Sequence, residues 1–290
     1  KEHDITKLPF SSSETYRAII ILVDPRWKDP TGNEISPMPE VKVWVEDPCG
    51  EYPGTITDVT TQDELYQALD TVAPGNTIRL AAGDWQLPMR IWEDACIEGS
   101  WYGRLAINGI TLAGMGIDET VLHLWGQNIN STYYGGWLMT EGDAAIRDMS
   151  IAISSYGGID ACAGSLKLCN VDIMSHVYHP YYYVYAITYI PLTAGTHRLE
   201  IHDCNFQGVG DPNSKGVYME CWSGYGSISA EITGTTFSGW GTGVEYWWTE
   251  IANVSLDVEC DGFSDNDENV IEYDWTGEDL IWREVCPEKK

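Results

Sequence analysis

The sequence predicts an all-β chain wound into a right-handed parallel β-helix, a solenoid with a short capping helix at its start and an extra β segment before it. Three observations lead there: a hexad that recurs along the chain, apolar alternation upstream of each copy, and glycine-rich turns between copies. The hexads begin at Ile146, Leu168, Ile201, Ile232 and Val258, separated by 22, 33, 31 and 26 residues. Each starts with an apolar residue, carries a turn-prone or small residue third, and ends in Ile or Phe, as in Ile201-His202-Asp203-Cys204-Asn205-Phe206.

Upstream, Leu166 with Leu168, Leu199 with Ile201, Ile228-Ala230-Ile232 and Val254-Leu256-Val258 repeat with a period of two, the mark of half-buried strands. Gly157-Gly158, Gly208, Gly210, Gly234, Gly239 and Gly241 fall between the copies. One strand–bend–strand unit cannot bury its own inner face. Copies stacked on one another form a single dry core. A β-sandwich, with strands at shorter spacing, is the competing architecture.

Upstream of the hexads, Thr60-Thr61-Gln62-Asp63-Glu64-Leu65-Tyr66-Gln67-Ala68-Leu69 places Leu65, Ala68, Leu69 and Val72 on one helical face, suited to covering the open end of a coil. Ala73-Pro74-Gly75-Asn76-Thr77-Ile78-Arg79-Leu80 and Gly109-Ile110-Thr111-Leu112-Ala113-Gly114-Met115-Gly116 follow as the first two rungs. On these phrases the chain resembles the pectate-lyase-like β-helix superfamily over about residues 55 to 265. The resemblance implies the fold but no chemistry, because that superfamily holds lyases, hydrolases, esterases, adhesins and inert shafts. The Arg-Pro-Arg phrase of its pectate lyases is missing, as are the paired aspartates and Gly-His-Gly of polygalacturonases and the Gln-Asp-Thr-Leu of pectin esterases.

The expected organisation is a β segment over 1–54, the coil over 55–265 and a C-terminal cap over 266–290. In the first segment Ala18, Ile19, Ile20, Ile21, Leu22 and Val23 form an apolar, β-prone strand, and Val41-Lys42-Val43-Trp44-Val45-Glu46 alternates. Asp29-Pro30-Thr31-Gly32 and Pro37 between them resemble the opening strands of an immunoglobulin-like domain, with too few strands to close one. Two readings stay open. The strands run along the coil as an extra sheet, or Ala18–Val23 serves as an assembly strand completed by another subunit.

Forty-four acidic against 16 basic side chains leave a charge of −28, which excludes a nucleic-acid partner on electrostatic grounds. No apolar run approaches a membrane span. The chain opens on Lys1-Glu2-His3, so a signal peptide has been removed or was never there. Eight cysteines without a C-x-x-C pair, with sequons at Asn130 and Asn253 as glycosylation candidates, point to a secreted or cell-surface protein with disulfides.

Side chains from successive rungs stand about 4.8 Å apart. One position before each hexad this stacks Ala145, Lys167, Glu200, Glu231 and Asp257, and at the second hexad position Arg147, Cys169, His202, Thr233 and Glu259. Eliminating across a uronate needs a base and a group to neutralise the carboxylate. Lys167 and His202 are candidate bases, and Arg147 or calcium the candidate neutraliser; the alternative is a surface salt-bridge ladder. Glu231, Asp257 and Glu259, or the loop Asp261, Asp265, Asp267 and Glu268, are oxygen ligands suited to calcium, without EF-hand spacing. His176, His179 and Asp172 would suit a metal only on a helix, and their segment reads as strand and loop.

Thirteen Trp and 17 Tyr against 4 Phe are an excess of amphipathic aromatics. Tyr181, Tyr182 and Tyr183 in one loop, with Trp247 and Trp248 near the end, are candidate ligand or interface groups. The first functional reading is a non-catalytic extracellular β-helix, structural or adhesive and self-assembling through its N-terminal strand. The alternatives are a polysaccharide lyase or glycosidase acting on an acidic glycan, and a glycan-binding module. The partners implied are a second copy or an extracellular glycan.

Overall fold

The computed structural model describes residues 17–18, 45–46, 49–86, 104–124, 128–129, 132–133, 137–140, 142–154, 158–177, 184–221, 226–249, 254–275 and 281–286. Its contacts divide the chain into Lys1–Gly50 and Glu51–Lys290. In the first unit Arg17 and Ala18 pair antiparallel with Glu46 and Val45. The start of the apolar strand therefore has a partner inside its own segment, and Ile19 to Val23 lie outside the described residues.

The second unit is a parallel β-helix with three strand columns per turn. The first column stacks Ile56–Val59, Thr77–Leu80, Thr111–Ala113 and the opening halves of Ala144–Ile153 and Leu166–Ser175, then Thr196–His202, Ser227–Thr233 and Val254–Val258. The second runs through Gly83–Gln86, Thr120–Leu124, the closing halves of Ala144–Ile153 and Leu166–Ser175, the starts of Asn205–Glu220 and Thr236–Thr249, and Phe263–Ser264. The third stacks Arg104–Ala106, Trp137–Thr140, Ile159–Ala161, Val184–Tyr189, the ends of Asn205–Glu220 and Thr236–Thr249, and Glu268–Trp275, closed antiparallel by Ile281–Glu284.

The hexad is the corner between the first two columns. Its third residues Asp148, Asn170, Asp203 and Gly234 have φ between 52° and 59°, the left-handed conformation that Asn, Asp and Gly adopt at least cost. Asn170 Nδ2 donates to Asp148 Oδ1 at 2.9 Å, tying one corner to the next. The first, fourth and sixth positions point inward, as Ile201, Cys204 and Phe206 do. Phe206, Phe237 and Phe263 stack with ring centroids 4.6 and 4.9 Å apart. The fifth hexad departs from the rule: Cys260–Gly262 form a turn of 3-10 helix, and Cys260 is bonded to Cys286.

A Cβ on Gly234 would lie 2.2 Å from Asp203 Oδ1 on a backbone already at φ 59°. Gly234→Val is therefore expected to cost about 1–3 kcal/mol, measured by urea unfolding. A loss below half a kcal/mol would show that the corner repacks freely.

The helix Gln62–Thr71 caps the coil. Thr61 and Glu64 form a reciprocal capping box at its start, and the backbone turns extended at Val72, just before Pro74. Leu65 and Ala68 are buried in the core, with Tyr66, Leu69 and Val72 packed against it. No helix among the described residues is long and apolar enough to cross a membrane.

Candidate functional site

On the outer face of the first column the expected ladder is present, with Ala145, Lys167, Glu200, Glu231 and Asp257 in register on successive rungs. Glu200 sits between two cations. Its Oε2 is 3.7 Å from Lys167 Nζ, and its Oε1 is 2.8 Å from an Arg198 guanidinium nitrogen. Beside them opens a cavity of about 300 Å³ lined by Lys167, Arg198, Glu200, Asp143, Ser165 and Gly109, among others. Asp143 Oδ1 accepts from Ser165 N at 2.8 Å.

Arg147, Cys169, His202 and Thr233 form the neighbouring column. Arg147 does not line the cavity. Its Nε donates to Asp148 Oδ2 at 2.7 Å, and its guanidinium lies 4.4 Å from the centre of the Tyr52 ring. Tyr52 OH also donates to Asp148, at 2.9 Å. Cys169 is disulfide-bonded, as are Cys49 and Cys162.

His202 is only 7% exposed and stands 2.8 Å from Thr233 Oγ1 through Nδ1. Burial and then the Lys167 charge push its pKa below the usual value, against the pull of Glu231, Glu200 and Asp203. The folded state thus holds this imidazole neutral, while an unfolded His takes a proton near about pH 6.5. Between those two values the unfolded chain binds more protons. Stability is therefore expected to fall as pH drops through about 6.5 toward the lower folded value, and to level off below it. Urea midpoints measured across that range should show a shallower fall in His202→Asn than in the parent; parallel curves would remove His202 as the cause.

The calcium candidates are scattered. Glu231 faces Asp257 across one rung, while Glu259 Oε2 accepts from Gly234 N at 2.8 Å. Asp265 and Asp267 are exposed, and Asp265 occupies a left-handed bend at φ 54°. Among the described residues no three His, Cys, Asp or Glu side chains converge as a metal would require. The Asp261 side chain, His179, Tyr181, Tyr182, Tyr183, Asn130 and Asn253 lie outside the described residues.

The outer face of the third column carries a cluster that the hexad did not reveal. Asp160, Thr188, Tyr218 and Glu245 stand in register on successive rungs, while Ile159, Ile187, Val217 and Val244 beside them face the core. Lys215 is ion-paired with Glu245, their side chains only 13% and 4% exposed. Trp247 Nε1 donates to Glu245 Oε1 at 2.7 Å, and Tyr218 OH donates to Glu220 Oε2 at 2.7 Å. The Lys215 ammonium lies 5.5 Å from the centre of the Tyr218 ring. Trp247 stacks on Tyr273 at 4.2 Å, so it turns its ring face to a neighbour. Trp248 packs against the core and donates to Glu272 Oε1 at 2.9 Å.

A second repeat marks this face: Gly158-Ile159-Asp160, Ala186-Ile187-Thr188, Gly216-Val217-Tyr218 and Gly243-Val244-Glu245, a small residue, an inward aliphatic and an outward polar group. The small residue is required by the close rung beneath. A Cβ on Gly216 would meet Gly243 O at 2.5 Å and the Phe237 ring at 2.8 Å.

Neither a protein-family model nor a curated protein matches this chain. Among solved structures, the chain is similar to AlyGC, an alginate lyase of family PL6. The match has 14% identity and a TM-score of 0.31, and takes in 67% of this chain and 34% of that structure. It is a likeness of fold. The chain spans about a third of that protein's length, at 34%.

Proposed function

We propose that the chain is a non-catalytic, extracellular β-helix that adheres to an anionic glycan through the cavity on its first face. The observation that carries this reading is the Lys167–Glu200–Arg198 arrangement on the cavity wall. A guanidinium and an ammonium beside one carboxylate can each turn to a second carboxylate, the group a uronate presents. Glu200 keeps the two cations in place while no ligand is bound.

Elimination would need more. The base and the neutralising cation must reach the same sugar ring. Arg147 is held by Asp148 and Tyr52, and His202 by Thr233, and neither lines the cavity. An extracellular setting is supported by the Cys260–Cys286 disulfide, since such bonds persist in oxidising compartments. Self-assembly through Ala18–Val23 belongs to the same proposal. Light scattering of the chain with and without its first fifty residues should show assemblies that disappear on truncation.

A lyase is the second reading, favoured by Lys167 reaching the cavity with Arg198 beside it. Calorimetric titration with alginate, polygalacturonate and neutral dextran separates the two. Binding of a polyuronate is expected, weakened roughly tenfold by Arg198→Ala. No ultraviolet absorbance from unsaturated uronate should develop. Absorbance that grows in the parent and vanishes in Lys167→Ala would establish the lyase. Failure to bind either polyuronate would remove the adhesive reading.

A further inference from the structure

The cavity on the first face has two unlike ends. Thr77, Thr111, Ala145, Lys167 and Glu200 are in register on five successive rungs, and the residues two places before them, Gly75, Gly109, Asp143, Ser165 and Arg198, all line the cavity. Its charges are gathered at one end. Lys167, Arg198 and Glu200 belong to the fourth and fifth of these rungs, and the exposed Asp143 to the third. Two cations and two carboxylates leave the lining without net charge. Beyond Asp143 the wall is uncharged, through Gly109, Ile110, Gly75 and Pro53. A Cβ on Gly75 would meet no atom within 4 Å, so that end is open.

We propose that this cavity selects a single uronate joined to a neutral sugar and discriminates against two uronates in succession, an inference that rests on the anionic-glycan reading above. Lys167 and Arg198 take the one carboxylate. The rung spacing of about 4.8 Å is close to the length of one pyranose. A chain running along the column therefore places its next ring beside Asp143 and Gly109. A second carboxylate there falls within the screening length of about 8 Å and meets like charge with no cation on its rung of the wall. Asp143 thus acts as the repulsive element that specificity requires. A neutral ring brings hydroxyl donors to the Asp143 carboxylate and its apolar face to Gly109 and Ile110. The volume of about 300 Å³ lies at the small end of ligand pockets and suits a short segment.

A uronate beside a neutral sugar occurs in alternating chains and as a branch on a neutral backbone, and the probes separate these sources. The full chain is titrated calorimetrically with a hyaluronan tetrasaccharide, a glucuronoxylan fragment bearing one glucuronate branch, and trigalacturonate. At least one of the first two is expected to bind roughly tenfold more tightly than trigalacturonate, and the tighter of them names the source. Asp143→Asn keeps the acceptor for Ser165 N. It should raise trigalacturonate affinity roughly fivefold and leave the mixed glycan's affinity unchanged. Asp257→Asn, the same change of charge on the same face but outside the cavity lining, should alter neither. Trigalacturonate bound as tightly as both mixed probes overturns the inference, as does a difference that Asp143→Asn fails to narrow; the anionic-glycan reading survives either result. Failure of all three probes to bind removes both.

Discussion

Lys215→Met is expected to destabilise the protein by about 3–5 kcal/mol, the cost of leaving a buried carboxylate without its cation. Glu245 is 4% exposed at its side chain. It keeps one donor, Trp247 Nε1, once Lys215 is gone. The reciprocal change, Glu245→Leu, takes the carboxylate away from a largely buried ammonium and should cost a similar amount. The double variant should recover most of the loss, because neither charge then remains to be desolvated. Urea unfolding of the parent, two singles and the double measures the coupling directly. Single variants within 1 kcal/mol of the parent would mean that water reaches the pair in solution.

Phe237→Ala should be as severe, about 3–5 kcal/mol, through a cavity in the middle of the aromatic stack. Phe237 is fully buried, with Phe206 on one side at 4.6 Å and Phe263 on the other at 4.9 Å. Removing it deprives both neighbours of a ring and opens space beside Gly216, where an added Cβ would lie 2.8 Å from that ring. Phe237→Leu keeps most of the volume and should cost less than half as much. Because each rung contacts only its neighbours, the damage should be local. Hydrogen exchange should accelerate in the strands around Asn205–Glu220, Thr236–Thr249 and Glu268–Trp275 before it does in Thr77–Leu80. Uniform acceleration along the whole coil would argue for one cooperative unit.

The hexad was legible because it combines two strict local demands. A corner needs a residue tolerant of positive φ, which Asp148, Asn170, Asp203 and Gly234 satisfy, and its flanks need aliphatic residues facing in. The ladder of Lys167, Glu200, Glu231 and Asp257 followed from it by counting. The repeat on the third face was there to be found, in Gly216-Val217-Tyr218 and Gly243-Val244-Glu245, but it is shorter and its outward position varies in chemistry. Its constant feature is a small residue whose reason lies in the next rung, where Gly243 O approaches.

The winding follows from local chemistry: which residues face the core, where the corner falls, and which side chains share a column. These depend on φ preference and the two-residue period, and both are local. Tertiary structure decided what the columns do. Arg147 and His202 stand in the expected column, yet Asp148, Tyr52 and Thr233 hold them away from the cavity that Lys167 and Arg198 line. Arg198 carried no signal in the hexad, and Lys215 meets Glu245 across 30 residues of chain. Whether a polar side chain is wet, paired or left without a partner depends on the burial that stacked rungs create, and burial belongs to the assembled coil.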